Sequence, residues 1–336
     1  MKKIVEPLLE WYLKNKRDLP WREDTDPYHV WISEIMLQQT RIEAVLGYYK
    51  RFMERVPTIE DLSKIDEDEL LKLWEGLGYY SRARNLKKAA MMIMEKYHGI
   101  FPSTYSDILS LPGIGEYTAG AIGSISFHLK EVAIDGNVLR VYARYNNSDI
   151  DVKSDKIKKE VGSKIKDILP DNSGDFNQAL MELGEVICLP NTLPKCEICP
   201  LKETCKAHKY HKELELPRQS IKMDKKEEYL TVFILIWNKK IAICKRKDGL
   251  LKNMWEFPNK EGHLSIKEVK ELFPSSSIFE GISNTHVFTH KKWYMKSYVV
   301  SLVDKIGDYE WVSLEDIHNQ YALPTAFKPF LKNISK

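Results

Sequence analysis

The feature that most limits what this chain can become is the string Leu111-Pro112-Gly113-Ile114-Gly115, followed at once by an apolar stretch containing Thr118, Ala119 and Gly120. Two glycines one residue apart let the backbone turn tightly and present its N–H groups outward. A helix starting there adds free N–H groups and the positive end of its dipole. Together these make a phosphate clamp that needs no basic side chain. Alone, Gly-x-Gly reads better as an ordinary helix–helix turn. Twenty residues on stands Asp135-Gly136-Asn137-Val138, and the two strings together favour function.

The surrounding pattern is helical from residue 1 to about 207. Apolar residues recur at three- and four-residue spacing, with breaks at Pro57, Pro102, Pro112 and Pro170. Helices are expected from about Pro27 to Leu37 and over Glu67–Trp74, Arg82–Tyr97, Tyr117–Ser126, Val138–Tyr145 and Phe176–Val186. Residues 208–226 are polar, charged and proline-containing, as a linker would be. Beyond them Tyr229–Trp237, Ile241–Lys245 and Tyr298–Val303 are β-branched and aromatic and read as strands, with a short helix over Lys267–Leu272. A length of 336 residues suits this division into two domains, 1–207 and 227–336. Neither repeats nor low-complexity tracts interrupt it.

Four of the five cysteines cluster in one short stretch, at positions 188, 196, 199 and 205. The N-terminal stretch carries Glu6 and Glu10 and lacks a signal-like apolar core, and no run is long enough to span a membrane. A cytoplasmic protein is expected, nucleoid-associated in a prokaryote. In that reducing compartment the four cysteines read as a metal site before a disulfide framework, and four thiolates suit zinc or an iron–sulfur cluster. Cys244 stands apart and reads as a buried strand thiol. A net charge of +3 neither demands nor excludes nucleic acid, since a local basic face is what binds phosphate.

Two further strings carry chemistry. In Pro27–Arg41, PYHVWISEIMLQQTR, Glu34 and Gln38 share one helix face, with Val30, Trp31 and Leu37 free to pack inward. An isolated glutamate there reads as a solvated surface carboxylate. Residues 76–84, GLGYYSRAR, join aromatic and basic side chains; one of Tyr79 and Tyr80 should be core, and Tyr80 is the candidate.

Together, LPGIGEYTAGAI and AIDGNVLRVYAR resemble the helix-hairpin-helix glycosylase superfamily, which includes endonuclease III and MutY. The strings SEIMLQQT and GLGYYSRAR are similar to those of MutY-type adenine glycosylases. The resemblance implies that Gly113 and Gly115 hold a DNA phosphate and that Asp135 is catalytic. It further implies that Glu34 protonates adenine while Asp135 stabilises the cation at the sugar, with Tyr117 and Asn137 orienting Asp135 and the reaction centre. Glu34 would need a raised pKa, and Asp135 should stay ionised. Endonuclease III-type lyases carry a lysine at position 117, whose amine forms a Schiff base with the sugar. Tyr117 cannot, so a monofunctional glycosylase is expected. The nucleotide must leave the helix to be attacked. Gln38, Gln39, Thr40, Leu77, Tyr79 and Arg82 are the implied DNA-contacting residues, with Tyr79 wedging beside the lesion. Lys and Arg at 84, 87 and 88 are candidate phosphate contacts.

The spacing Cys188-x7-Cys196-x2-Cys199-x5-Cys205 resembles the iron–sulfur loop of the superfamily, whose usual first gap is one residue shorter. The resemblance implies a [4Fe–4S] cluster on these four thiolates, with a structural, DNA-facing role. Residues 244–258 resemble a Nudix-like lesion-recognition domain. The stretch SIKEVKELF lacks the REx2EE metal-binding pattern, so a binding module without nucleotide hydrolysis is expected. By the same resemblance Phe288, Thr289 and His290 form a loop that recognises 8-oxoguanine; His286 reads equally as an incidental strand-end residue. The expected architecture is thus a mostly α helix-hairpin-helix glycosylase with an iron–sulfur loop, plus an α+β Nudix-like C-terminal domain. Its expected partner is double-stranded DNA holding A:8-oxoguanine or A:G mispairs, bound by a monomer. A thymine or uracil mismatch glycosylase on the same fold is the alternative, though it gives no reason for the C-terminal domain. A bifunctional endonuclease would need the missing lysine, and a non-enzymatic DNA-binding protein would not need Glu34 and Asp135 both intact.

Overall fold

A computed structural model of the chain describes residues 1–218 and 224–334. In chain order the helices are α1 (Val5–Asn15), α2 (Pro27–Leu37), α3 (Ile42–Arg55), α4 (Ile59–Lys64), α5 (Glu67–Leu73), α6 (Ser81–Tyr97) and α7 (Tyr105–Leu109). Then follow α8 (Glu116–Phe127), α9 (Gly136–Asn146), α10 (Asp155–Lys166), α11 (Ser173–Val186), α12 (Lys206–Lys209), α13 (Ile266–Leu272) and α14 (Leu314–Asn319). The strands are β1 (Lys226–Trp237), β2 (Lys240–Lys245), β3 (Trp255–Glu256), β4 (Asn259–Glu261), β5 (Ser277–Val287), β6 (Lys291–Ser301) and β7 (Glu310–Val312). These elements sort into two compact units that do not follow chain order. The first is built from Met1–Lys64 and the chain from Asn85 to 218; the second joins Ile65–Arg84 to the chain from 224 to 334.

In the helical unit, Asp26 accepts a hydrogen bond from the Tyr28 N–H, and Pro27 at the first position presets φ, so α2 begins sharply. Every residue of α2 from Val30 to Met36 is buried, Glu34 among them. One apolar core gathers Leu8 and Tyr12 of α1, Val138 and Leu139 of α9, and Phe176, Leu180 and Leu183 of α11. Gly184 permits that packing, since a Cβ there would lie 2.6 Å from the Cβ of Asn137. The stretch read as a linker is partly structured. Its first residues extend α12, and Leu216 is buried, its carbonyl accepting from the Arg144 guanidinium at 2.8 Å. Residues 219–223 of that stretch lie outside the described residues.

The second unit is a sheet of order β3-β2-β1-β6-β5, with β4 also on β1 and β7 on β2. Strands β1 and β6 are parallel, pairing Phe233 with Tyr298 and Ile234 with Val299. The near-continuous apolar run of β1 follows from burial on both faces. Leu230, Val232 and Ile234 enter one core with Trp293, Phe257, Phe327 and Phe330, while Phe233 and Leu235 enter another with Tyr298, Val300 and Val269. Strand β5 was invisible in the sequence because it is an edge strand with a polar Ser-Asn-Thr stretch in which Ser283 and Thr285 are exposed and Asn284 is half-buried. In α13, Glu268 is spent on a capping box, accepting from Ser265 N and Oγ at 2.7 Å.

Candidate active site

A cleft of about 1490 Å³ in the helical unit is lined by Glu34, Tyr117, Asp135 and Asn137, with Trp21, Arg22 and others around them. The two carboxylates, 101 positions apart in the chain, thus face one cavity. Helix α2 supplies Glu34, and α8, which packs on α2, supplies Tyr117. Asp135 is the N-cap of α9. Its Oδ1 accepts from the Val138 N–H at 2.8 Å, and its Oδ2 accepts from Asn137 Nδ2 at 2.7 Å. Asn137 is held in turn by Arg140, whose guanidinium donates to Asn137 Oδ1 at 2.7 Å and to the carbonyls of Gly184 and Cys188, each at 2.8 Å.

Tyr117 departs from expectation. Its hydroxyl donates to Glu34 Oε2 at 2.6 Å, not to Asp135, and also meets the Met181 sulfur at 3.2 Å. The phenol therefore orients Glu34, and Asn137 orients Asp135. Reading position 117 from its neighbours in sequence could not assign this partner, because Glu34 lies 83 residues away.

Electrostatics separate the acid from its surroundings. Burial pushes the Glu34 carboxyl up from 4.5 to about 7, against the hydrogen bond from Tyr117 and the positive charge of Arg22, with Asp135 adding to the rise. Burial also raises Asp135 above the usual aspartate range, and the bonds from Val138 and Asn137 with the charge of Arg140 offset part of that rise. On the wall of the cleft, burial would raise Glu182. Hydrogen bonds from Arg17 at 2.6 Å and Arg22 at 2.9 Å prevail, and its carboxyl lies below the usual range. This Arg17–Arg22–Glu182 network was missed in the sequence, since its members carry no motif and meet only through long-range packing.

The implied DNA contacts divide. Gln38, Gln39 and Thr40 line the cleft just past α2, and Gln39 adopts φ +60°. Gly113 takes φ +80°, and a Cβ there would lie 2.6 Å from Asn85 Cβ, so only glycine fits. Gly115 is different: a Cβ would meet nothing within 4 Å. In the sheet unit Tyr79 is 45% exposed while Tyr80 is 5% exposed and packed inward. Two expected contacts are not offered as placed. Leu77 is buried. The Arg82 guanidinium donates to the carbonyls of Leu77 and Gly78, each at 3.1 Å, and lies over the Trp74 ring, so it braces the loop instead of reaching outward. Thr289 and His290 lie in the turn joining β5 to β6, and Thr289 Oγ1 is hydrogen-bonded to the Tyr79 hydroxyl. Phe288 packs edge-on against Trp293 at 4.8 Å, and His286 sits within β5 against Phe288.

Cys188, Cys199 and Cys205 pack on the helical core, and Arg144 donates to Cys188 Sγ at 3.3 Å. Burial raises the thiols of Cys196 to about 11 and Cys199 to about 12, and repulsion from the other cysteines adds to both. Among the described residues, the one group of three metal-capable side chains with donor atoms within 4.8 Å of one another is Cys196, His208 and Glu213. His208 and Glu213 are themselves bonded at 2.7 Å. No three of the loop thiols, all of them among the described residues, converge that closely. Cys244 lies on β2, half-buried.

Fold and site together define a base-excision repair glycosylase carrying a Nudix-type module. Residues 32–167 match the HhH-GPD superfamily of base excision DNA repair proteins, and residues 231–333 match the NUDIX domain. The chain is similar to the solved structure of a thermostable thymine-DNA glycosylase, with 31% identity and a TM-score of 0.57 over 62% of this chain and 97% of that one. An endonuclease III trapped as a covalent DNA intermediate shares the fold at 24% identity, with a TM-score of 0.54 over 63% of this chain and 98% of that one. Likeness to curated proteins extends further along the chain. Identity to the adenine DNA glycosylase of Buchnera aphidicola subsp. Baizongia pistaciae is 42%, over 76% of this chain and 73% of that protein. The adenine DNA glycosylase of Buchnera aphidicola subsp. Schizaphis graminum is 33% identical over 93% of both chains. The chain belongs to the adenine DNA glycosylase family.

Proposed function

We propose that the protein removes adenine mispaired with 8-oxoguanine or guanine in duplex DNA, hydrolysing the N-glycosidic bond as the first step of base excision repair. The observation that carries this reading is the pair Glu34 and Asp135 facing one cleft, one carboxyl buried with its pKa near 7 and the other fixed as a helix cap. Adenine leaves poorly unless a ring nitrogen is protonated, and C1′ becomes oxocarbenium-like as the bond breaks. Glu34 holds the proton at neutral pH and gives it to the base. Asp135, braced by Asn137 and Arg140, stabilises the cation until water attacks. Tyr117 supplies no amine, so adenine is released without a Schiff base at the sugar, which stays in the strand as an intact abasic site.

Gly113 and Gly115 would hold a phosphate through backbone N–H groups, and the open space at Gly115 supports close approach by that ligand. Gln38, Gln39 and Thr40 would contact the strand carrying the extruded nucleotide. Tyr79 would fill the gap, with Thr289 and His290 reading the opposite base through a hydroxyl and an imidazole. Cys188, Cys196, Cys199 and Cys205 would hold a [4Fe–4S] cluster, a structural tie between the loop and α9.

The likeness to a thymine-DNA glycosylase structure favours a second reading, a thymine or uracil mismatch glycosylase, but that likeness covers 62% of this chain. One assay separates the two. Duplexes carrying A:8-oxoguanine, A:G, T:G and U:G are incubated with the protein and analysed with and without alkali. Alkali-dependent cleavage of the two adenine duplexes is expected; cleavage confined to T:G and U:G would reject the proposal. Efficient borohydride trapping of a covalent adduct would reject the monofunctional mechanism.

A further inference from the structure

Residues Ile65–Arg84 lie between helices of the helical unit in sequence, yet they form one compact unit with the C-terminal sheet. The segment carries Tyr79. Asp68 pairs with Lys245 at 2.9 Å and Arg84 donates to the Lys252 carbonyl at 2.8 Å, but the least exposed charged attachment is made by Lys72 at 20% and Glu75 at 12%. Glu75 Oε1 accepts from the Leu323 backbone N–H at 2.9 Å, while Oε2 pairs with Lys72 at 3.0 Å and Lys328 at 3.3 Å. Lys72 donates onward to the carbonyls of Ile317 and Tyr321, at 3.3 and 3.0 Å. Charge-assisted bonds to backbone groups are stronger than exposed ion pairs and fix position as well as distance.

From this anchor two rigid routes lead to the same spot. On one side Trp74 caps α5, donates from its ring N–H to the Gly78 carbonyl at 3.2 Å, and supports Arg82, which bonds Leu77 and Gly78. That loop sets Tyr79. On the other side Leu323 shares a core with Phe327 and Trp293, and Phe288 packs on Trp293. That core sets the turn holding Thr289. The routes close where the Tyr79 hydroxyl meets Thr289 Oγ1.

We propose that Glu75, with Lys72, is a specificity-determining positioning residue. It locks the Tyr79 loop to the turn of Thr289, so that wedge and opposite-base reader meet DNA as one preset pair. This rests on the proposal that Thr289 reads the opposite base. Glu75 takes no part in bond cleavage. Its loss leaves Tyr79 able to insert but in a position no longer tied to the base that Thr289 contacts, so the wrong opposite base is tolerated better.

The test uses the full chain and single-turnover excision of adenine opposite 8-oxoguanine or guanine, with Glu75→Gln, Glu75→Leu and Lys72→Met. Glu75→Gln retains an acceptor for the Leu323 N–H, and Glu75→Leu retains none. Excision opposite 8-oxoguanine should stay within about twofold of wild type, while the ratio of the two rates falls on the order of fivefold in Glu75→Leu and less in Glu75→Gln. With Thr289→Ala already present, Glu75→Leu should change the ratio little further. An unchanged ratio, an equal loss on both duplexes, or full additivity with Thr289→Ala would overturn the clamp. A wild-type chain that treats both duplexes alike would overturn the reading of Thr289 and the clamp with it; a discriminating wild type with equally discriminating variants sinks the clamp alone.

Discussion

The hydroxyl of Tyr117 donates a 2.6 Å hydrogen bond to Oε2 of Glu34. The residue that replaces a lyase's amine thus sits on the proposed general acid. The bond favours the ionised carboxyl and opposes burial, which disfavours it. Burial prevails, and Glu34 stands at about 7. A proton is therefore available in the pH range where adenine must be protonated.

Replacing Tyr117 by Phe removes that opposing bond. The Glu34 pKa should rise further, and the alkaline limb of the excision profile should move to higher pH. Single-turnover rates measured from mildly acidic to mildly alkaline pH would show it; a limb at unchanged pH would mean that Glu34 does not set it.

Glu34 should cost stability at neutral and alkaline pH. Its folded pKa, about 7, exceeds the ordinary 4.5, so folding favours the protonated form. Its contribution is fully present below 4.5 and is lost as pH rises through 7. Glu34→Gln cannot ionise and can still accept from Tyr117. It should nearly abolish excision yet be more stable than wild type at about pH 8, on the order of 2 kcal/mol, with the difference shrinking toward about pH 4. Urea unfolding at the two pH values measures this, and equal stability at both would contradict the buried acid.

Asp135→Asn separates chemistry from capping. Asparagine caps a helix about as well as aspartate, so the fold of α9 and DNA binding should persist. Excision should fall at least about a hundredfold, in the range seen when one stabilising group is lost from a reaction centre. Asp135→Ala should in addition lose about 1 kcal/mol of stability through the missing cap. Near wild-type turnover by the asparagine variant would overturn the assignment.

The hairpin glycines should behave differently. Gly113→Ala places a methyl against Asn85 at positive φ and should destabilise the protein by about 1–2 kcal/mol. Gly115→Ala meets open space and should leave the melting temperature unchanged while weakening duplex binding. Comparable melting losses for both would remove the argument that the space at Gly115 serves a ligand.

Removing Cys199 should abolish the broad visible absorption and the iron and sulfide content expected of the loaded protein. Stoichiometric zinc in a colourless wild-type protein would replace the cluster reading.

Much of this was legible in the sequence because it is local. The hairpin string, the α2 limits, the cysteine spacing and the strand-like texture after residue 226 arise from periodicity, turn chemistry and spacing within a few residues. Tyr80 was correctly expected inside, and Glu34 emerged as a buried acid once the string around it outweighed its reading as a surface carboxylate. What the sequence could not determine was every relation across long separations. Tyr117 choosing Glu34 over Asp135, Arg82 bracing its own loop, Arg17 and Arg22 joining at Glu182, and residues 65–84 packing with the C-terminal sheet all arise only when helices and strands pack. Propensity acts between neighbours in the chain, but burial, which sets the pKa of Glu34 and commits polar side chains to particular partners, depends on what the completed fold brings to each side chain.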